Sequence, residues 1–276
     1  MGFFNSLKNE ETGFRLKPMR PHHVEPALTI IYDHDEDDGD AAAQTYQGDL
    51  SAFHVVEIDQ QLAGLTGYAR IMDAPTSAWL SWTYVAEAFR QQGVGTYMVT
   101  SLSQILKRKK VERLFIATSD YTEDGIDQYA SARRFYERLG ARCDLKIDDF
   151  YQPGEAKYIY RLSLGGEGFG DGMTAMDEAV RFIDIEPIDE TDGAFALIWE
   201  PVSRETPEAD PPLSHLIDAA KNEGGHAVFA SLPYGYSSGT SAPLQSAGFR
   251  QLGSVTDYYG VGQNDIYWGL SLTSGR

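Results

Sequence analysis

Residues 140–164 and 248–272 align without a gap, at an offset of 108, with eight identities in 25 positions. Composition alone would give about one or two. The shared residues are Gly140, Arg142, Asp149, Tyr151, Gly154, Leu162, Ser163 and Leu164. Both copies read as glycine, strand, Asp-aromatic-Tyr, glycine turn, strand and Leu-Ser-Leu. The chain therefore reuses one supersecondary unit rather than stacking a short solenoid repeat. A length of 276 residues agrees with two domains, because single cores split beyond roughly 250 residues.

The pattern between Gly13 and Leu164 alternates strand-like and helix-like periods, which predicts a mixed α/β domain. Residues 14–19 read as a strand. A helix follows from Pro21 to about Tyr32, then the acidic tract Asp33 to Asp40, then a second short helix over 41–47. Strands are expected at 52–58, 62–71 and 78–85. A helix with Met98, Leu102, Ile105 and Leu106 on one face runs through Lys110, and a buried strand occupies 111–118. Ala130 to Leu139 is a helix closed by Gly140, and strands at about 142–150 and 156–164 complete the domain. Five glycines in the eight residues 165–172 mark a connector, which places domains at 1–164 and 181–276 with a linker at 165–180. Beyond it, strands are expected near 182–185, 227–231, 250–259 and 266–272, with a helix at about 213–222.

The 23 basic against 41 acidic side chains leave a formal charge of −18. That balance argues against general nucleic-acid binding, which needs clustered Lys and Arg, and favours small cationic partners. No run approaches 18 apolar residues, so no membrane partner is expected. The start of the chain lacks a basic, apolar leader, and a cytoplasmic location is the expectation. The single cysteine, Cys143, excludes an intrachain disulfide. It falls in a strand and reads as buried filler. His22-His23 has no third ligand at a recognisable spacing, and no metal is expected.

The most informative stretch is Arg90-x-x-Gly93-x-Gly95, between a strand and a helix. A helix start carries unpaired N–H groups and partial positive charge, and a turn without Cβ atoms brings those donors close to a phosphate. Paired glycines alone are more often structural. Neither a P-loop, which needs Lys-Ser or Lys-Thr after the last glycine, nor a dinucleotide fingerprint, which needs a third glycine, fits here.

With Val85 and Phe89 ahead of it, this segment is similar to the acyl-CoA-binding signature of the GNAT superfamily of N-acetyltransferases. A second motif, Ala132-Arg133-Arg134-Phe135-Tyr136-Glu137-Arg138-Leu139-Gly140-Ala141, resembles that family's Ala-x-x-Phe-Tyr-x-x-x-Gly-Phe helix, and residues 14–19 resemble its opening strand. The resemblance covers about 13–164. It implies a GNAT-like α/β (α+β) fold with a mostly antiparallel central sheet flanked by helices, followed by a smaller, degenerate GNAT-like half. It further implies acetyl-CoA as the acyl donor and direct transfer of its acetyl group to an amine.

In that reading the pantetheine arm pairs with the backbone around Thr83 and Val85. The amides of Gln91, Gln92, Gly93, Val94, Gly95 and Thr96 cradle the pyrophosphate. Arg90 is its charge partner or an exposed helix-start arginine, and Arg133 meets the 3′-phosphate or lies in solvent. The amide near Val85 stabilises the oxyanion. Tyr136 protonates the leaving thiolate, against the alternative of a core aromatic. The strand 78–85 has no carboxylate, which departs from many relatives, and Tyr129 stands where many carry Asn. Asp120 is the first candidate side chain for the base, ahead of Glu123, Glu87 and His54, and a water chain is an equal alternative.

The acidic tract 33–40 either selects a cationic acceptor or is a solvated charge run. The second half lacks both the Arg-x-x-Gly-x-Gly turn and a counterpart of Tyr136. It is expected to bind no CoA and to cover the acceptor side, dimerise or stabilise the first domain. The function expected is N-acetylation of a small amino-acid-like or polyamine-like amine, with a homodimer as one open assembly. A CoA-responsive binding module and a protein-lysine acetyltransferase are the alternatives.

Overall fold

The computed structural model describes residues 13–165, 180–202 and 211–273. From residue 166 to 179 the glycine-rich connector lies outside them, as do residues 1–12. The chain divides into two compact units, Met1–Arg70 with Ala78–Val111 and Ile71–Ser77 with Glu112–Arg276.

In the first unit, β1 (Leu16–Pro18), β2 (Phe53–Ile58), β3 (Gln61–Arg70) and β4 (Ser77–Val85) form consecutive antiparallel pairs. Helices α1 (Pro21–Tyr32) and α2 (Glu36–Thr45) bury Ala27, Ile31 and Ala42 against one sheet face with Val55 and Leu65. Helix α3 (Val94–Arg108) buries Val94, Tyr97 and Met98 against Val56 and Ala63 on the other. Gly64 permits this approach, since a Cβ there would stand 2.9 Å from the Met98 sulfur and 2.9 Å from the Tyr84 carbonyl.

Helix α2 starts five residues before the expected position. The acidic tract is its first turn: the Asp35 carboxylate accepts the Asp38 N–H at 3.0 Å, and Glu36, Asp37 and Asp38 sit at the positive end of the helix dipole. Asp40 and Tyr32 then join the two helices by a 2.7 Å hydrogen bond. Much of the charge run is thus accounted for by helix initiation.

The second unit holds β5 (Arg113–Ser119), a small hairpin of β6 (Thr122–Glu123) and β7 (Ile126–Asp127), helix α4 (Ala130–Arg138), β8 (Arg142–Gln152) and β9 (Glu155–Ser163). Strands β5, β9 and β8 pair in that order. A five-stranded sheet follows, in the order β10 (Val180–Pro187), β11 (Ala194–Pro201), β12 (Ala227–Pro233), β14 (Gln263–Ser271), β13 (Arg250–Gly260), with α5 (Leu213–Asn222) and α6 (Tyr234–Ser246). The helix 213–222 falls where expected. Strand β11, helix α6 and the β6–β7 hairpin were not expected. Helix α6, with four serines, two glycines and Pro243, carries little intrinsic propensity, and Leu244 buried in the core cluster supplies its anchorage.

The duplication extends beyond sequence. Each copy runs strand, strand, helix, strand, helix, strand, strand: β3-β4-α3-β5-α4-β8-β9 and β10-β11-α5-β12-α6-β13-β14, the β6–β7 hairpin being additional to the first. Asp149 and Asp257, 108 apart, take φ values of 54° and 57°, and each carboxylate accepts a glycine N–H at 2.7 Å, from Gly154 and Gly262. The Ala141 N–H donates to the Tyr136 carbonyl at 3.0 Å, as Phe249 does to Leu244. Within the second unit the copies are tied together. Asp144 accepts the Thr256 N–H at 3.0 Å, His226 Nε2 lies 2.8 Å from the Asp149 carbonyl oxygen, and the Ser77 hydroxyl donates to the Tyr258 carbonyl at 2.7 Å.

Cys143 corrects one expectation. Its place on β8 leaves it exposed rather than buried, with Sγ 3.5 Å from the Leu145 carbonyl oxygen.

Candidate active site

Gly93 is the N-cap of α3 and adopts φ 86°, a left-handed conformation that an L residue enters at a cost of about 1–2 kcal/mol. Its Cβ position is open space, so conformation rather than crowding requires glycine. Gln91, with φ 60°, turns the chain the same way two residues earlier. The first helical bond runs from the Tyr97 N–H to the Gly93 carbonyl at 2.9 Å, and no side chain caps the helix. The N–H groups of Val94, Gly95 and Thr96 therefore leave the helix end without a carbonyl behind them. Gln92 does not fill this position, because its amide donates back to the Ala88 carbonyl at 2.9 Å. The arrangement fits a diphosphate, since adjacent donors, the helix dipole and a Cβ-free turn face one point.

Strand β4 leads into this turn with an irregularity. Between the pairs Leu65–Tyr84 and Gly67–Ser81, two residues of β4 oppose Thr66 alone, and Trp82 takes φ 37°. Such a bulge re-aims the following residues. The Thr83 hydroxyl lies 2.8 Å from that of Thr66, Val85 pairs with Gly64, and the Ala86 N–H reaches the Ala63 carbonyl at 3.0 Å. Arg90 Nε donates to the Val85 carbonyl at 3.3 Å, so this arginine closes the turn.

On the α1–α2 side of β4, the Tyr84 hydroxyl donates to the Asp38 carboxylate. The His34 ring stands edge-on to Tyr84, with centroids 5.4 Å apart and planes at 80°. Burial lowers the His34 pKa below its ordinary 6.5; the Arg90 cation lowers it further and Asp35 opposes both. The imidazole is therefore largely neutral at pH 7. The sequence reading treated 33–40 as one charge run and did not single out His34. Its adjacency to β4 depends on the turn between two helices, which residue spacing does not reveal.

In the second unit, Tyr136 is buried on α4 and its phenol is pushed up to about 12 by burial, so it stays protonated through neutral pH. Asp120 is engaged: one oxygen accepts the Ala156 N–H at 2.7 Å, the other the Tyr158 hydroxyl at 3.1 Å, with Lys146 Nζ at 3.9 Å. Arg133 binds the Ser119 carbonyl and the Asp127 carboxylate and lies over the Tyr158 ring. Asp120 ties the end of β5 to β9, and Arg133 ties α4 to β5 and the β6–β7 hairpin. Glu87 and Glu123 are exposed, and His54 is buried on β2 with no hydrogen-bond partner for Nδ1. Among the described residues no group of three metal-ligating side chains occurs, and no helix is long and apolar enough to cross a membrane.

Residues 19–141 match the model of the acetyltransferase (GNAT) family. This segment is a GNAT acetyltransferase domain. The matched GNAT segment contains every candidate site residue from Thr83 to Tyr136 and ends one residue before β8. Among solved structures, a putative GNAT-family acetyltransferase from Desulfovibrio desulfuricans is similar at 24% identity and TM-score 0.47, over 55% of this chain and 98% of that one. The ribosomal-protein-S18-alanine N-acetyltransferase of Escherichia coli is similar at 17% identity and TM-score 0.45, over 57% and 97%. The aminoglycoside 6'-N-acetyltransferase of Enterococcus faecium is similar at 14% identity and TM-score 0.47, over 56% and 99%. Comparison with curated proteins gives no match.

Proposed function

We propose that the GNAT domain transfers acetyl from acetyl-CoA to the amine of a small cationic acceptor. The observation that carries this reading is the uncapped start of α3 behind the left-handed Gly93. Acetyl-CoA supplies an activated thioester and a diphosphate handle. The amides of residues 91–96 bind that handle, the bulged end of β4 at Thr83 and Val85 aligns the pantetheine arm, and Arg90 fixes the turn between them. The Tyr136 phenol, too weak an acid to ionise at neutral pH, donates a hydrogen bond and then a proton to the departing sulfur. Asp120 and Arg133, both engaged by neighbours, contribute by position, Asp120 holding β9 and Arg133 holding α4. The acidic first turn of α2, next to β4 through Tyr84, favours an ammonium-bearing acceptor.

We further propose the chain organisation read from sequence, a catalytic domain over 1–164, a connector over 165–180 and a second copy over 181–276 that binds no CoA.

Incubation with acetyl-CoA and a panel of polyamines, aminoglycosides and amino acids, followed by free thiol, tests the activity. Amine-dependent thiol release that falls in Tyr136→Phe is the expected result. Coenzyme A binding without release across the panel would replace this reading with a CoA-responsive module.

A further inference from the structure

Resting on the transfer reading above, we infer that His34 is the general base that takes the proton from the acceptor amine. An ammonium has no lone pair to attack with, so the reaction needs a group that is unprotonated at neutral pH and stands beside the reacting strand. Three candidate carboxylates are engaged elsewhere. Asp35 caps α2, Asp38 receives the Tyr84 hydroxyl, and Asp120 holds the Ala156 amide and the Tyr158 hydroxyl. The tract has one nitrogen base, and its ring packs edge-on against Tyr84, the residue between Thr83 and Val85.

The charges around His34 suit the role. Arg90, from the turn after β4, disfavours the imidazolium; Asp35 at the start of α2 favours it, and desolvation outweighs both. Tyr84, bonded to Asp38 of α2, packs against the ring from β4. A neutral imidazole in an acidic neighbourhood attracts an ammonium and is able to deprotonate it. In the step itself, the freed amine nitrogen bonds to the acetyl carbonyl carbon and the carbon–sulfur bond breaks with its electron pair on sulfur. The imidazole takes one proton from the ammonium and releases it to solvent, then takes the second N–H proton shed as the amide forms, while the sulfur takes the Tyr136 proton; return of that second proton from the imidazole through solvent to the tyrosinate resets both groups.

The test is the pH dependence of kcat/KM for the wild-type protein, His34→Gln and His34→Ala, with a polyamine and acetyl-CoA. Coenzyme A binding to each variant is followed by calorimetry as a control for folding. The inference predicts a wild-type rate that falls on acidification through a midpoint below 6.5. It predicts a kcat about 100-fold lower in His34→Gln with the acid limb gone and coenzyme A affinity unchanged. Added imidazole should partly restore His34→Ala. A His34→Gln protein that keeps both rate and acid limb overturns this assignment alone. Absence of thiol release from a wild-type protein that binds coenzyme A overturns the transfer reading and this assignment with it.

Discussion

Helices α3 and α5 each follow the second strand of their copy, β4 and β11, yet their first turns differ. At α3 a left-handed Gly93 leaves three amides unpaired, with the first bond at Tyr97. At α5 the cap is Pro212, and the His215 N–H already donates to the Pro212 carbonyl at 2.8 Å. A similar replacement occurs one helix later: position 136 is a buried tyrosine, and position 244, which makes the same helix-end bond, is a fully buried leucine. Between β11 and β12 the parallel ladder stops at Ala196–Phe229. Beyond it lies a cavity of about 230 Å³ walled by Ala196, Ile198, Phe229 and Ser231, which the Trp199 indole crosses to donate to the Ser231 carbonyl at 2.8 Å. The closing strands are common to both copies, while the anion turn and the phenol belong to the first. A scaffold for this fold can thus persist without the groups that perform transfer.

The largest expected effect that tests this contrast is on stability. Lys157 and Asp265 occupy equivalent positions with opposite charge. Burial pushes the Lys157 amine down to about 8 and the Asp265 carboxyl up to about 7, although hydrogen bonds from Tyr259 and Ser231 favour the Asp265 anion. For Asp265 the folded pKa lies above the unfolded one. The native state therefore binds more protons between pH 4 and 7, and stability falls as pH rises through that window, by about 4 kcal/mol. Denaturant titrations at pH 4.5 and 7.5 should show this slope reduced in Asp265→Asn; an identical slope in both proteins would contradict the assignment.

Next, Trp199→Ala removes the indole from the β11–β12 gap and should lower stability by about 3 kcal/mol in the same titration, leaving coenzyme A affinity unchanged. A loss of affinity in the refolded variant would show that the second copy takes part in binding. Tyr136→Phe should reduce kcat about 100-fold at constant KM, a change near 2.7 kcal/mol, whereas Leu244→Phe leaves kcat unchanged. Equal rates for Tyr136→Phe and wild type would place the phenol among core aromatics. The smallest effect is Ser77→Ala, which removes one hydrogen bond to the Tyr258 carbonyl and should cost about 1 kcal/mol in thermal unfolding, with kcat unchanged.

The repeat at offset 108 and the Gly93 turn were legible in sequence because each depends on local requirements, a strand–turn–strand pattern and a positive φ. The course of β11 and α6 was not, because a short apolar run and a serine- and glycine-rich helix take their form from the sheet they pack on. Residue roles that depend on partners were equally hidden. Asp120 looked available from its place after a strand, but its carboxylate closes on Ala156 and Tyr158, 36 and 38 residues away. His34 looked like part of a charge run until the α1–α2 turn brought it to Tyr84.

The central claim is that the amides after Arg90 bind a diphosphate, and calorimetric titration with coenzyme A addresses it directly. The account predicts a saturable binding isotherm for the wild-type protein and at least about tenfold weaker binding in Gly93→Val, where a β-branched side chain opposes the left-handed turn. No heat at millimolar coenzyme A, or equal affinity in the two proteins, would contradict it.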